Sequence, residues 1–100
     1  MSTAADIGSD ILTLPSALDL TAALTLKETF AEMLLSRTDI IVDGAQVVRI
    51  GTPAVQVILA AAQALKSEGR AFVLKQPSNA FRSAFVDLGL TSELERWSSP

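Results

Sequence analysis

The sequence contains neither cysteine nor histidine. Without thiols there is no disulfide framework, no thiolate nucleophile and no cysteine-rich zinc site. Without imidazole there is no His general base, no Ser-His-Asp triad and no His phosphocarrier. The residues that remain offer no nucleophile and base pair and no glycine-rich phosphate cradle. Asp39 and Asp43 flank an apolar strand and are too few to make a metal site. The chain is therefore expected to be no enzyme and to need no cofactor or metal.

A basic patch is missing as well. Lys27, Arg37, Arg49, Lys66, Arg70, Lys75, Arg82 and Arg96 stand singly against 11 acidic residues, for a formal net charge of -3. Such scatter cannot track a nucleic-acid backbone, so no nucleic-acid partner is expected. Nor is there a bilayer-crossing run. The most hydrophobic stretch, Ile50 to Leu65, is interrupted by Pro53, Gln56 and Gln63 and bounded by Arg49 and Lys66, so it reads as a buried helix without direct membrane insertion. Met1 to Ser9 lack a basic segment followed by an apolar one. They are expected to form a flexible lead over residues 1–9 rather than a secretory signal, which implies a cytoplasmic protein.

What is present suffices for one small globular domain over residues 10–100: the chain has 100 residues, 49% of them hydrophobic and 19% charged. Ile11-Leu12-Thr13-Leu14 is a strand closed by Pro15 and Ser16, and Leu18-Asp19-Leu20 follows at once, which predicts a hairpin-like start. From Ala22 to Ser36 the period becomes helical, with Ala23, Leu26, Phe30, Met33 and Leu34 on one face and Thr21 as N-cap. Asp39-Ile40-Ile41-Val42-Asp43 has the pattern of a central strand buried on both faces. After a turn at Gly44, Val47 and Val48 continue as extended chain to Ile50. Gly51-Thr52-Pro53 then predicts a helix start with Thr52 as N-cap and Pro53 behind it. This second helix runs to about Ser67, turns Val55, Ile58, Leu59, Ala62 and Leu65 inward, and stops at Gly69.

Arg70 to Lys75 carries another buried-type strand, which Gln76-Pro77 ends. A third helix follows, capped by Ser78 or Asn79, lined by Ala80, Phe81, Ala84, Phe85 and Leu88, and ended by Gly89. A last short helix covers Ser92 to Trp97, with Trp97 read as a packing residue. The alternation of strands and helices predicts an α/β domain: a mixed, mostly parallel sheet of four to five strands with three to four helices packed on it. The opening hairpin would supply the mixed edge.

The segment from Asp43 to Leu59, DGAQVVRIGTPAVQVIL, resembles the signature of STAS domains, the family of anti-sigma-factor antagonists. Asp43 matches the family's strand-end Asp, Ile50 its apolar residue and Thr52 its phosphorylatable hydroxyl. Leu18-Asp19-Leu20-Thr21 resembles the start of the family's first helix and Pro77 to Leu90 its third-helix region, so the likeness spans nearly the whole domain. Where the family has an acidic residue before the hydroxyl, a small residue after it and then a glycine, this chain has Gly51, Pro53 and Ala54.

The resemblance implies a non-enzymatic regulatory module of the anti-sigma-factor-antagonist or chemotaxis-associated type. It would bind a histidine-kinase-like anti-sigma factor or a chemotaxis kinase complex through the loop and helix starting at Thr52, with phosphorylation of Thr52 as a switch. The contact residues would be Asp43, Gly51, Thr52, Pro53, Ala54, Gln56, Val57 and Ala60. The alternative that it implies is a structural STAS subunit of a bacterial phospholipid ABC transporter, clamped to the transporter ATPase.

Two readings of Thr52 stand side by side. In one, its exposed hydroxyl takes a phosphate, which the helix N-terminus stabilises through its first backbone donors and the positive end of its dipole. In the other, Thr52 only caps the helix, worth about 1 kcal/mol. Asp43 at the strand-to-loop junction suits an Asx-turn that organises the loop, and Asp19 suits a local turn at the first helix. Ala54 puts a methyl where the family presents bare backbone, which would hinder close approach by a partner. Val57, Ala60, Ala61 and Ala64 make a stripe that either admits a partner helix or covers a neighbouring element.

Overall fold

The computed structural model describes residues 9–36 and 39–98. In chain order its elements are β1 (Ser9–Thr13), β2 (Ala17–Leu18), α1 (Leu20–Leu35), β3 (Asp39–Asp43), β4 (Arg49–Ile50), α2 (Thr52–Ser67), β5 (Phe72–Lys75), α3 (Asn79–Asp87) and α4 (Thr91–Ser98). The result is the expected α/β architecture, with its strands parallel and its helices packed on a sheet. The expected lead falls outside the described residues except for Ser9, which already belongs to β1.

The opening hairpin does not form. β1 lies parallel to β3, with Ile11 beside Ile41, and β3 lies parallel to β5, with Val42 beside Leu74. β2 pairs in parallel with β4 instead. The five strands therefore divide into a three-stranded sheet of order β1-β3-β5 and a two-stranded ribbon, and every pairing among the described residues is parallel. The reason lies at Pro15-Ser16. Just before it, Leu14 N–H still donates to the Asp43 carbonyl at 3.0 Å; just after it, the Ser16 carbonyl accepts from Val48 and Arg49 N–H at 2.8 and 3.1 Å. The turn thus hands the chain from one non-local partner to another, and no mixed edge results.

One face of the sheet is sealed. Ile40, Val42, Phe72 and Leu74 join residues of all four helices in a single core, which is where the alternation of side chains along a strand places them. The other face is not: Ile41 and Val73 are half-buried and Ile11 is exposed, so the both-face burial expected of β3 holds for one face only. Aromatic edges tie the last helices to this core, with the Trp97 ring 5.1 Å from Phe72 and 5.6 Å from Phe85, both T-shaped. Trp97 is a packing residue. Leu88, expected inside, is 47% exposed, because α3 has ended by that point and Leu88 serves as its C-cap.

Local signals set the helix ends. Asp19, not Thr21, caps α1: its backbone is extended and its carboxylate accepts from Ala22 N–H at 2.9 Å, which moves the start of α1 to Leu20. Of the two residues considered for α3, Ser78 is the cap, accepting from Phe81 N–H at 3.1 Å. Gly69 and Gly89 stop α2 and α3 in the left-handed region, at φ 72° and 77°, where a side chain would be strained.

Candidate functional site

The loop between β3 and α2 is held from three sides. Asp43, half-buried at the strand end, accepts from Ala45 N–H at 2.9 Å and turns the chain as an Asx-turn. Gly44 N–H donates to the Lys75 carbonyl, and the Gly44 carbonyl accepts from Ser78 N–H. Gly44 sits so close to the next segment that a Cβ there would stand 3.4 Å from Pro77 Cα. Val47 is buried, and its carbonyl accepts from Ser78 Oγ at 2.6 Å. One serine hydroxyl therefore caps α3 and anchors this loop at once.

The chain then pairs briefly as β4 and enters α2. Gly51, half-buried, is the N-cap of α2, with φ -95° and ψ 165°, and its N–H donates to the Leu18 carbonyl at 3.0 Å. Thr52 is consequently the first helical residue rather than the cap, and Pro53 follows it. The shift by one residue has a chemical consequence. Gly51 has no side chain, so no side-chain cap closes the N-terminus of α2, and the exposed Thr52 side chain is free of capping duty. Pro53 brings no N–H of its own to that end.

The residues expected to meet a partner divide as α2 turns. Thr52, Pro53, Gln56 and Ala60 are exposed and Val57 is half-buried, all on one side of the helix. Ala54 is 0% exposed, so its methyl packs into the core and is not part of the surface that the other residues form. In the stripe beside them Ala61 is buried and Ala64 half-buried, so the stripe divides: Ala61 lies towards the core and Ala60 towards solvent.

α1 supplies an opposite wall that the sequence reading did not assign. Leu20, Leu24, Lys27, Phe30, Ala31 and Leu34 face Pro53, Gln56, Val57 and Ala60 across an open groove of about 490 Å³. Among the described residues Lys27 is the one charged residue in its lining. The signal was present in the sequence as Leu20 and Leu24, apolar residues off the core stripe of α1. Among the described residues no group of three or more acidic side chains is placed to hold a metal ion, and no helix is long and apolar enough to cross a membrane.

The fold is a parallel α/β domain in which an organised loop leads into a helix without a side-chain cap. The chain belongs to the STAS family: the family model described as "Mlab, STAS domain" matches residues 1–95. STAS domains are typically non-catalytic and bind protein partners, and this family includes the MlaB subunit of a phospholipid ABC transporter. No curated protein and no solved structure matches the chain.

Proposed function

We propose that this protein is a docking subunit that holds a protein partner at the N-terminus of α2, and that the partner is the ATPase of a phospholipid-type ABC transporter. The observation that carries the reading is the match to the Mlab-type family model over residues 1–95. The site is consistent with it. Thr52 offers an uncommitted hydroxyl that both donates and accepts a hydrogen bond, Pro53 and Gln56 extend the surface, and the groove beside them supplies apolar area for desolvation. Such a subunit needs no chemistry of its own, and it works on the cytoplasmic side, where the ATPase is.

A second reading rests on one feature of Thr52. Its hydroxyl stands at the first residue of a 16-residue helix, where the positive end of the dipole favours a phosphate. In that case a kinase supplies nucleotide and metal, the partner is a histidine-kinase-like anti-sigma factor or a chemotaxis kinase complex, and phosphorylated Thr52 releases it.

Affinity capture of the tagged protein from its source organism, with mass spectrometry of co-purifying proteins and of Thr52, separates the two. Recovery of an ABC-type ATPase with unmodified Thr52 is the expected result. Thr52→Ala should then weaken assembly about tenfold, since a buried partner group loses its hydrogen bond. Recovery of a signalling kinase, with Thr52→Ala and Thr52→Glu differing in affinity, would replace the first reading by the second. Recovery of neither class would sink both.

A further inference from the structure

We propose that the free edge of β5 takes up an extended segment of a partner protein as a further strand, one in which apolar and acidic residues alternate. The edge follows from the hydrogen bonds of the sheet. β5 pairs with β3 on one side, and among the described residues no strand lies on the other. Ile40 N–H donates to the Ala71 carbonyl and Gly44 N–H to the Lys75 carbonyl, both at 3.0 Å. Backbone groups along a strand turn to alternate sides, so Ala71, Val73 and Lys75 direct theirs to β3, while Phe72 and Leu74 direct theirs away from the sheet. Such an edge is a template for another chain wherever it is left uncovered.

An open groove of about 570 Å³ runs beside this edge, and both Phe72 and Val73 line it. Adjacent strand residues point to opposite faces: Phe72 goes into the core and Val73 to the open face of the sheet. A cavity that touches both therefore lies at the margin of the strand, where the outward backbone groups of Phe72 point. Leu59 and Lys66 of α2 form one wall, Arg96 and Trp97 of α4 the other. α4 reaches β5 through Trp97, whose ring packs 5.1 Å from that of Phe72, and the groove remains open alongside.

The two sides of the edge choose the occupant. The groove carries Lys66, Arg70 and Arg96 against Glu93, the one acidic residue of its lining among those described, in a chain whose net charge is -3. Arg70 is held by Glu68 and by the carbonyls at the end of α1, and Glu93 lies 3.8 Å from Arg96. Lys66 and Arg96 stand exposed on the helix side, so acidic side chains complement that side. On the open face the register aligns Ile11, Ile41 and Val73 in one apolar row, which an apolar residue of an added strand would lengthen. Because successive side chains of a strand go to opposite faces, an occupant that meets both sides alternates acidic with apolar residues. Phe72 supplies the main-chain bonds and the two faces supply selectivity. α2 starts after β3 and finishes before β5, so this edge and the Thr52 loop stand at opposite ends of the helix, and neither site's evidence depends on the other.

Trp97 is the sole tryptophan of the chain and lines the groove, so its fluorescence reports occupancy. The probe is a blocked peptide of alternating valine and glutamate, titrated into the full chain without any other protein, and the docking reading stands whichever way the result falls. Saturable binding with Kd on the order of 100 µM is expected, since a short added strand binds weakly. The Phe72 amide proton should exchange about tenfold more slowly in the complex. Lysine in place of glutamate in the peptide should weaken binding about tenfold or more, and so should Lys66→Glu with Arg96→Glu in the protein, with circular dichroism reporting an intact fold. Methylation of the peptide's backbone nitrogens separates strand addition from charge attraction. The valine nitrogens lie on one edge of the added strand and the glutamate nitrogens on the other, so methylating one set should abolish binding and methylating the other should leave it within about threefold. Absence of binding at millimolar peptide would overturn the proposal. So would binding that survives both methylations, or binding indifferent to the charge of the peptide or of Lys66 and Arg96.

Discussion

α1 and α2 are equal in length, 16 residues each, and pack against one another on the same side of the sheet, yet their ends and outer faces are finished differently. The N-terminus of α1 is closed by its own Asp19 carboxylate, whereas that of α2 begins at Gly51 and has no side chain to close it. At the other end the roles reverse. α2 stops by itself at Gly69, but the end of α1 adds a residue from far along the chain to its own cap: Ser36 donates to the Met33 carbonyl through its N–H and its hydroxyl at 3.1 and 2.7 Å, and Arg70 donates to the Leu34 and Met33 carbonyls at 2.8 and 3.1 Å, while Glu68 holds its guanidinium at 2.7 Å. The outer face of α2 carries Gln56, Gln63 and Lys66, all exposed, whereas α1 sets exposed Leu20, Leu24 and Leu35 beside its exposed Thr21, Thr25, Glu28 and Glu32. Every helix leaves backbone donors and carbonyls unpaired at its ends, and how they are satisfied decides what each end can do next. The open N-terminus of α2 is available to a partner.

The largest effect that should break this pairing is Ile58→Ala on the buried face of α2. Ile58 is 0% exposed, and deleting its branched end should cost about 2–5 kcal/mol in chemical denaturation. Leu24→Ala, on the outer face of α1, should change monomer stability by no more than about 0.5 kcal/mol. Equal costs for the two would mean that the outer stripe of α1 already belongs to the core. Next comes Arg70→Ala, which should lose about 2 kcal/mol, because two carbonyls and a carboxylate lose a charged donor. Arg70→Lys should recover only part of that, since one ammonium cannot reproduce the planar fork. Smaller still is Asp19→Ala, which opens the N-terminus of α1 and should cost about 1 kcal/mol by thermal unfolding. The smallest change sharpens the comparison from the other side. Gly51→Asp gives α2 the cap it lacks, at a position where a new Cβ meets only Pro53 Cδ at 3.6 Å and the Leu18 carbonyl oxygen at 3.9 Å. A gain of a few tenths of a kcal/mol is expected, and a loss would show that the turn before α2 needs glycine for a reason other than space.

Much of this was legible from residues close together in the chain. The run of α2 to Ser67, the stops at Gly69 and Gly89 and the Asx-turn at Asp43 each depend on a residue and its neighbours a few positions away. The misreadings at helix starts are of one residue, at Thr52, or two, at Thr21, since neighbouring residues compete for the same capping position and backbone direction chooses between them. Ala54 could not be separated from Pro53 and Gln56 as a surface residue until the rotation of α2 against the core was known. The α1 wall of the groove was missed for a related reason: Leu20 and Leu24 are ordinary helix residues until Pro53 and Val57 stand opposite them.

By itself the sequence determined the alternation of strands and helices, the α/β class, the likeness to STAS domains and the loop on which Thr52 stands, because periodicity, caps and turns act over a few residues. Only the tertiary structure decided that β1 pairs with β3 and β2 with β4 instead of with each other, that one sheet face is sealed and the other open, and that two helices of one length end so differently. Those outcomes depend on hydrogen bonds and contacts between segments far apart in the chain, such as Ser16 with Val48 or Arg70 with Leu34, and no local pattern of residues encodes which distant partner satisfies a given backbone group.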